Sequence, residues 1–264
     1  MTPKPVIETK FEHLLTSIFQ TNEELGAAAT EEATYILNHS IRKKGETNLI
    51  LATGNSQLTF LTAMRAAPVE WSQVNIFHMD EYIGLDPAHP ASFSLFLKRH
   101  ILDYIQPKAF FPVHPSSQQN AEEACRYYEE LLHSHPADLC VLGIGENGHI
   151  AFNDPPFADF KDPRWVKIVK LDEASRRQQV GEGHFKAIDE VPTHAITLTI
   201  PALLAARHIL ALVPEGRKSD AVYRSLIGSV NEKCPGSILR EIDHAHLYLD
   251  HDSAQKILPQ ILST

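Results

Sequence analysis

The chain is poor in cysteine: Cys125, Cys140 and Cys234 lie far apart and form no CxxC pair. That excludes a disulfide-stapled scaffold and a thiolate zinc site, and it points to a reducing, cytoplasmic compartment. Positive charge is also in deficit, with 24 Lys and Arg against 33 Asp and Glu for a net charge of -9. Nucleic acid and anionic membranes both need a dense basic face, so neither is an expected partner. Any anionic ligand must be held by a few local cations and backbone amides. Long apolar runs are missing, and the opening stretch MTPKPVIETKFEHLLTSIFQ scatters charges throughout. It reads as neither a signal peptide nor a membrane span. No Walker loop and no GxGxxG fingerprint occurs. The chain has 15 histidines, yet His133 with His135 and the group His244, His246 and His251 lack the spacing and supporting ligands of a metal site. No metal and no cofactor is expected. With no Gly/Ser linker, internal repeat or low-complexity tract, residues 1–264 are read as a single domain.

What recurs instead is a short β-branched apolar run followed by a helical period. Such runs fall at residues 47–53, 73–79, 138–144, 165–171, 195–200, 208–213 and 246–250. Between them, Thr21 followed three residues later by Glu24 forms a capping box. Leu25, Ala29, Ala33, Ile36, Leu37 and Ile41 then share one helix face until Gly45. Residues 119–133 and 215–227 read as further helices. Alternating strands and helices imply an α/β fold of three layers, a mainly parallel sheet of about seven strands with helices on both faces, modified Rossmann-like. In such sheets ligands collect at the carboxyl ends of the strands.

Four stretches at those ends carry candidate chemistry. Thr53, Gly54, Asn55 and Ser56 follow the first run, and a glycine turn leading into a helix exposes amides suited to a phosphate. An ordinary turn capped by Ser56 accounts for the same residues. Asp80 and Glu81 end the second run, and strand alternation sends their side chains to opposite sides. One carboxylate is then free to face a cleft as a base while its neighbour is tied into structure. His149 sits in GIGENGHIAFNDPP, flanked by Gly145 and Gly148, with Asp154 five residues on to orient its ring. A surface histidine in a long loop is the plain alternative. Lys218 follows the run HILALV at a helix start, and Arg176 and Arg177 follow VKLDEAS, where cations oppose the helix dipole unless an anion lies between them.

Taken in order, ATGNSQL, FHMDEYIGLDPAHPASF, LGIGENGHIAFNDP and AITLTIPALLAARHILALVPEGRKSDAV resemble the glucosamine-6-phosphate deaminase (isomerase) family from about residue 25 to 255. The sister 6-phosphogluconolactonases typically carry D-E-R and G-H-x-A-S-L-F, where this chain reads DEYIGL and GHIAFND. The resemblance implies conversion of glucosamine 6-phosphate and water to fructose 6-phosphate and ammonia, with a small-molecule sugar phosphate as the partner. It matches Asp80 to the base that moves a proton from C2 to C1 and His149 to the group that opens the pyranose ring. Asp154 takes the place of the usual Glu beside that histidine. Lys218, the 53–56 loop and, more loosely, Arg177 match the phosphate site, with Glu81 and Gly148 as structural support. Relatives range from monomers to hexamers, which leaves a homo-oligomer open.

A second position departs from the family pattern. Asn147 stands where the loop normally reads D-G-H. An amide is neutral and donates as well as accepts, so His149 is expected to be held mainly by Asp154, with slower ring opening or a different preferred substrate. The competing readings are therefore a deaminase for another amino-sugar phosphate such as galactosamine 6-phosphate, a 6-phosphogluconolactonase, or a non-catalytic sugar-phosphate sensor.

Overall fold

A computed structural model describes residues 3–113, 118–155 and 157–262. In chain order, the strands are β1 (Ile7–Phe11), β2 (Leu14–Phe19), β3 (Thr47–Leu51), β4 (Val74–His78), β5 (Asp80–Tyr82), β6 (Ala109–Phe111), β7 (Leu139–Leu142), β8 (Val166–Lys170), β9 (His194–Leu198), β10 (His208–Val213) and β11 (Ala245–Asp250). The helices that matter below are α1 (Asn22–Lys44), α2 (Leu58–Met64), α3 (Phe93–Leu97), α4 (Gln118–Ser134), α5 (Glu173–Gly181), α6 (Ile200–Leu204) and α7 (Ser219–Ile227).

Eight strands form one sheet in the order β1-β2-β11-β10-β7-β3-β4-β6, parallel throughout except for the β1–β2 hairpin. The continuous apolar runs are explained by burial on both faces, because period-two alternation divides each strand between two cores. Leu49, Leu51, Leu139, Val141, Leu210 and Leu212 pack on the side covered by α1 and α2. Ile50, Cys140, Leu142, Ile209, Ala211 and Val213 pack on the side that also holds residues of α4, α6 and α7.

The α/β, mainly parallel architecture stands, with two refinements. The runs at 165–171 and 195–200 leave the main sheet and pair antiparallel as β8 and β9, joined by β5 in a separate sheet ordered β5-β9-β8. Their apolar periodicity reports burial, which is the same in either sheet. The main sheet is instead completed by β1, β2 and the three-residue β6, in segments whose polar alternation or brevity gave no strand signal.

The first helix forms as its capping box dictates. Thr21 Oγ1 accepts from the Glu24 amide at 3.2 Å, Glu24 Oε2 accepts from the Gln20 amide at 3.1 Å, and Gly45 closes the helix in the left-handed region at φ 82°. Among the described residues, no helix is long and apolar enough to cross a membrane.

Candidate active site

Strands β10, β7, β3 and β4 are neighbours at the middle of the sheet, and the chain leaves all four in the same direction. Their carboxyl-terminal segments, residues 214–218, 143–149, 52–56 and 79–80, therefore meet. Between them lies an open pocket lined by Thr53, Gly54, Asn55, Ser56, Asp80, Gly145, His149 and Lys218, with Phe93, Phe152, Gln178, Gln179 and Glu182 completing its walls. The crossover topology brings together residues separated by up to 165 positions.

On one wall, β5 holds Asp80 and Glu81 with opposite fates. Glu81 turns away and accepts from the amides of Tyr82, Phe93 and Ser94 at 3.0–3.2 Å and from the Ser92 and Ser94 hydroxyls at 2.9 and 3.1 Å. Asp80 faces the pocket at 7% exposure and takes no hydrogen bond from a described residue. Burial, reinforced by the charge of Glu81, holds its pKa well above the ordinary carboxylate value.

Opposite, the loop after β7 folds back on itself. The Gly145 amide donates to the His149 carbonyl and the Gly148 amide to that of Gly145, both at 2.9 Å. Gly148 adopts φ 95°, and a Cβ there would meet Cys234 Sγ at 2.8 Å. At Gly145 a Cβ would lie 2.1–2.4 Å from three atoms of the His149 ring, so the imidazole rests directly on bare backbone.

His149 Nδ1 is surrounded by three oxygens: Asn147 Oδ1 at 2.7 Å, Asp154 Oδ1 at 3.1 Å and Ser175 Oγ at 3.2 Å. The expectation that Asp154 is the main support is thus corrected. Asn147 makes the shorter contact and bridges to Asp154 by donating from Nδ2 at 2.9 Å. An amide can accept on one side and donate on the other, which a carboxylate cannot. Burial works to raise the pKa of Asp154, which is 1% exposed. Hydrogen bonds and the charge of His149, with further bonds from Ser175 and Asn147, outweigh it and bring the value down to about 2.

At the other end stands Lys218, 3% exposed and with no hydrogen bond or ion pair to a described residue. Burial pulls its ammonium below the usual lysine value. The amides of Thr53, Gly54, Asn55 and Ser56 likewise donate to no described carbonyl. The expected Ser56 cap is not made, because Gly54 takes the capping position with no side-chain bond.

Arg177 does not join this end. Its side chain is 68% exposed and pairs with Glu173 one helical turn away, and Arg176 instead donates to the carbonyls of Ile188 and Val191. Helix phase is the reason, since α5 turns Gln178 and Gln179 to the pocket and Glu182 follows at its C-cap. The cation nearest Lys218 in sequence, Arg217, is held by Glu146, Glu182 and Glu215 at 2.5–2.9 Å. Those carboxylates come from three segments, and no sequence signal links them. Ser175 was equally invisible, being one serine inside a polar helix.

Residues 20–248 match the family described as glucosamine-6-phosphate isomerases/6-phosphogluconolactonase. The glucosamine-6-phosphate deaminase of Bacillus cereus strain B4264 is 32% identical over 236 residues, covering 89% of this chain and 86% of the relative, and that of Bacillus cytotoxicus is also 32% identical, over 239 residues. A solved monomeric glucosamine-6-phosphate deaminase superposes with a TM-score of 0.82 at 29% identity, over 91% of this chain and 98% of the other. A 6-phosphogluconolactonase from Trypanosoma brucei superposes with a TM-score of 0.77 at 19% identity, covering 94% and 100%, which speaks for the fold alone. An α/β sheet that gathers a carboxylate, an imidazole and a lysine at its carboxyl edge is the frame of a sugar-phosphate isomerase or deaminase. The chain belongs to the glucosamine-6-phosphate isomerase/6-phosphogluconolactonase family and is a deaminase-like enzyme of it.

Proposed function

We propose that the enzyme converts glucosamine 6-phosphate and water to fructose 6-phosphate and ammonia. The observation that carries this reading is the pocket itself, where a buried ammonium with no partner among the described residues faces the same cavity as a buried carboxylate and an imidazole. A buried cation without a partner is costly, and a phosphate placed between Lys218 and the 53–56 amides removes that cost. The phosphate then fixes the sugar so that its reacting carbons lie between the two walls.

The steps follow from what each side chain is able to do. His149 Nε2 takes the proton of the C1 hydroxyl and returns one to the ring oxygen, which opens the pyranose to the aldehyde. The new carbonyl acidifies C2. Asp80 removes that proton and delivers it to C1, so that electrons shift from the enaminol to a C2 imine. Addition of water to the imine and expulsion of the amine give the ketose and ammonia. Asp80 suits this role because its low-dielectric surroundings make its ionised form a stronger base than an exposed aspartate.

The test is ammonia release and fructose 6-phosphate formation from glucosamine 6-phosphate and galactosamine 6-phosphate in parallel, with wild type and Asp80→Asn. Turnover of the gluco sugar that disappears in the variant supports the reading. Activity confined to the galacto sugar would move the specificity at C4, and binding of fructose 6-phosphate without deuterium exchange at C1 would make the protein a sensor.

A further inference from the structure

Ser175 reaches the His149 relay from α5, an element with no sequence link to the loop that carries the histidine. It is the one buried residue of that helix, and its hydroxyl lies 2.5 Å from Asp154 Oδ1 and 3.2 Å from His149 Nδ1. The Asp172 amide, at the cap of the same helix, points at Asp154 Oδ2 from 3.4 Å.

Counting protons assigns the bonds. Asp154, with its value near 2, is ionised at neutral pH and donates nothing. Ser175 has a single hydroxyl proton, and the carboxylate takes it, so the serine oxygen is an acceptor towards the ring. Asn147 turns its Nδ2 to the same carboxylate, which leaves its Oδ1 facing the ring. Every atom around Nδ1 is therefore an acceptor. A neutral imidazole must keep its proton on Nδ1 and present the lone pair of Nε2 to the pocket, which is the tautomer a proton shuttle needs there.

We propose that Ser175 is a positioning residue for His149: its hydroxyl holds Asp154 Oδ1 and the ring at a fixed spacing, so that Nε2 stays aimed at the substrate. The proposal rests on the deaminase reading for its kinetic consequence, while its structural content is independent of it. Because α5 also presents Gln178 and Gln179 to the pocket, with Glu182 at its C-cap, one helix both walls the cavity and positions the shuttle.

The experiment compares Ser175→Ala and Ser175→Thr with wild type in two measurements. One is steady-state ammonia release from glucosamine 6-phosphate. The other is the nitrogen NMR spectrum of the His149 ring in the ligand-free protein, assigned with His149→Gln. Ser175→Ala is expected to lower kcat by about 10- to 100-fold, the worth of a hydrogen bond to a charged group. KM changes by less than about 3-fold, as for a contact that matters in the transition state, and the ring keeps the Nδ1–H form that Asn147 and Asp154 enforce while its Nδ1 signal shifts as the spacing to Asp154 changes. Ser175→Thr, which keeps the hydroxyl, restores both. A Ser175→Ala ring spectrum identical to wild type overturns the proposal, even if activity and melting temperature both fall, since a merely structural serine would produce that pattern. If alanine does not fold, Ser175→Gly removes the same hydroxyl and is judged the same way. Absence of turnover in wild type would instead sink the deaminase reading and leave the ring spectra to decide on Ser175.

Discussion

Replacing Gly145 with alanine tests whether the position of the His149 ring governs turnover. The added Cβ would sit 2.1 Å from ring Cε1, 2.2 Å from Nε2 and 2.4 Å from Nδ1, whereas ordinary van der Waals contact begins at 3.4 Å. The ring must retreat by about 1.3 Å at Cε1 to reach that distance. Its movement is limited, because Asn147 and Asp154 oxygens hold Nδ1 at 2.7 and 3.1 Å. The loop backbone is no freer, being tied by the bonds from Gly145 to His149 and from Gly148 to Gly145. The imidazole therefore swings out of register with the substrate. A misplacement near 1 Å costs about 100-fold in rate, or about 2.7 kcal/mol of transition-state stabilisation. Since Lys218 and the 53–56 loop are untouched, KM should stay within about 3-fold. The assay is kcat and KM for ammonia release, with melting temperature as a check on folding. Gly181→Ala is the control, because a Cβ there meets nothing within 4 Å. A folded Gly145→Ala enzyme retaining kcat within about 3-fold would refute the reasoning and remove His149 from the reaction.

Asp80→Asn should abolish turnover yet stabilise the fold at neutral pH. The folded-state pKa of Asp80 is raised, so the stability tied to its protonated form is complete below the ordinary carboxylate value of about 4 and is lost as pH climbs through the raised value. Asparagine removes that loss, so its melting temperature should exceed wild type at neutral pH and converge with it in acid; the same gap at both pH values would contradict the buried charge. In wild type, kcat/KM should fall as pH drops through that same raised value, because only the ionised carboxylate is a base. Asn147→Asp trades a donor for a like charge 2.9 Å from Asp154 Oδ1, and turnover should drop by about 10-fold or more rather than improve; unchanged kcat and substrate preference would show that the amide is incidental. Lys218→Met should raise KM by about 100-fold, as loss of a desolvated charge-assisted contact would. Arg177→Ala, which breaks only an exposed pair, should leave both constants within about 2-fold, and a large KM effect there would restore it to the phosphate site. Thr21→Ala removes the side-chain acceptor at the α1 cap and should cost about 1 kcal/mol, or roughly 3 °C in melting temperature, without touching kinetics.

The local parts of the site were legible where chemistry and backbone geometry are set by neighbours in sequence. Asp80 and Glu81 diverge because adjacent strand residues must, and β5 carries that rule into a pocket-facing carboxylate and a fully bonded one. His149 lies over Gly145 because the two belong to one tight loop. Arg177 failed for a reason of the same scale: the sequence placed two arginines near the site without fixing the helix phase, and α5 rotates both away.

By itself, the sequence determined the parallel α/β core, through apolar runs that only burial on two faces tolerates, and the ends of α1, through a capping box and a terminal glycine. It also supplied the base, the imidazole, the lysine and the amide loop as separate candidates. Tertiary structure alone decided that β8 and β9 pair in a second sheet with β5, since hydrophobic periodicity reports burial and is silent about which neighbour provides it. It decided as well that Asn147, Asp154 and Ser175 share one imidazole nitrogen and that Lys218 is buried without a partner among the described residues. The Ser175 contacts join segments 21 or more residues apart and the burial of Lys218 is a fact of desolvation, and neither exists until the chain has closed around the pocket.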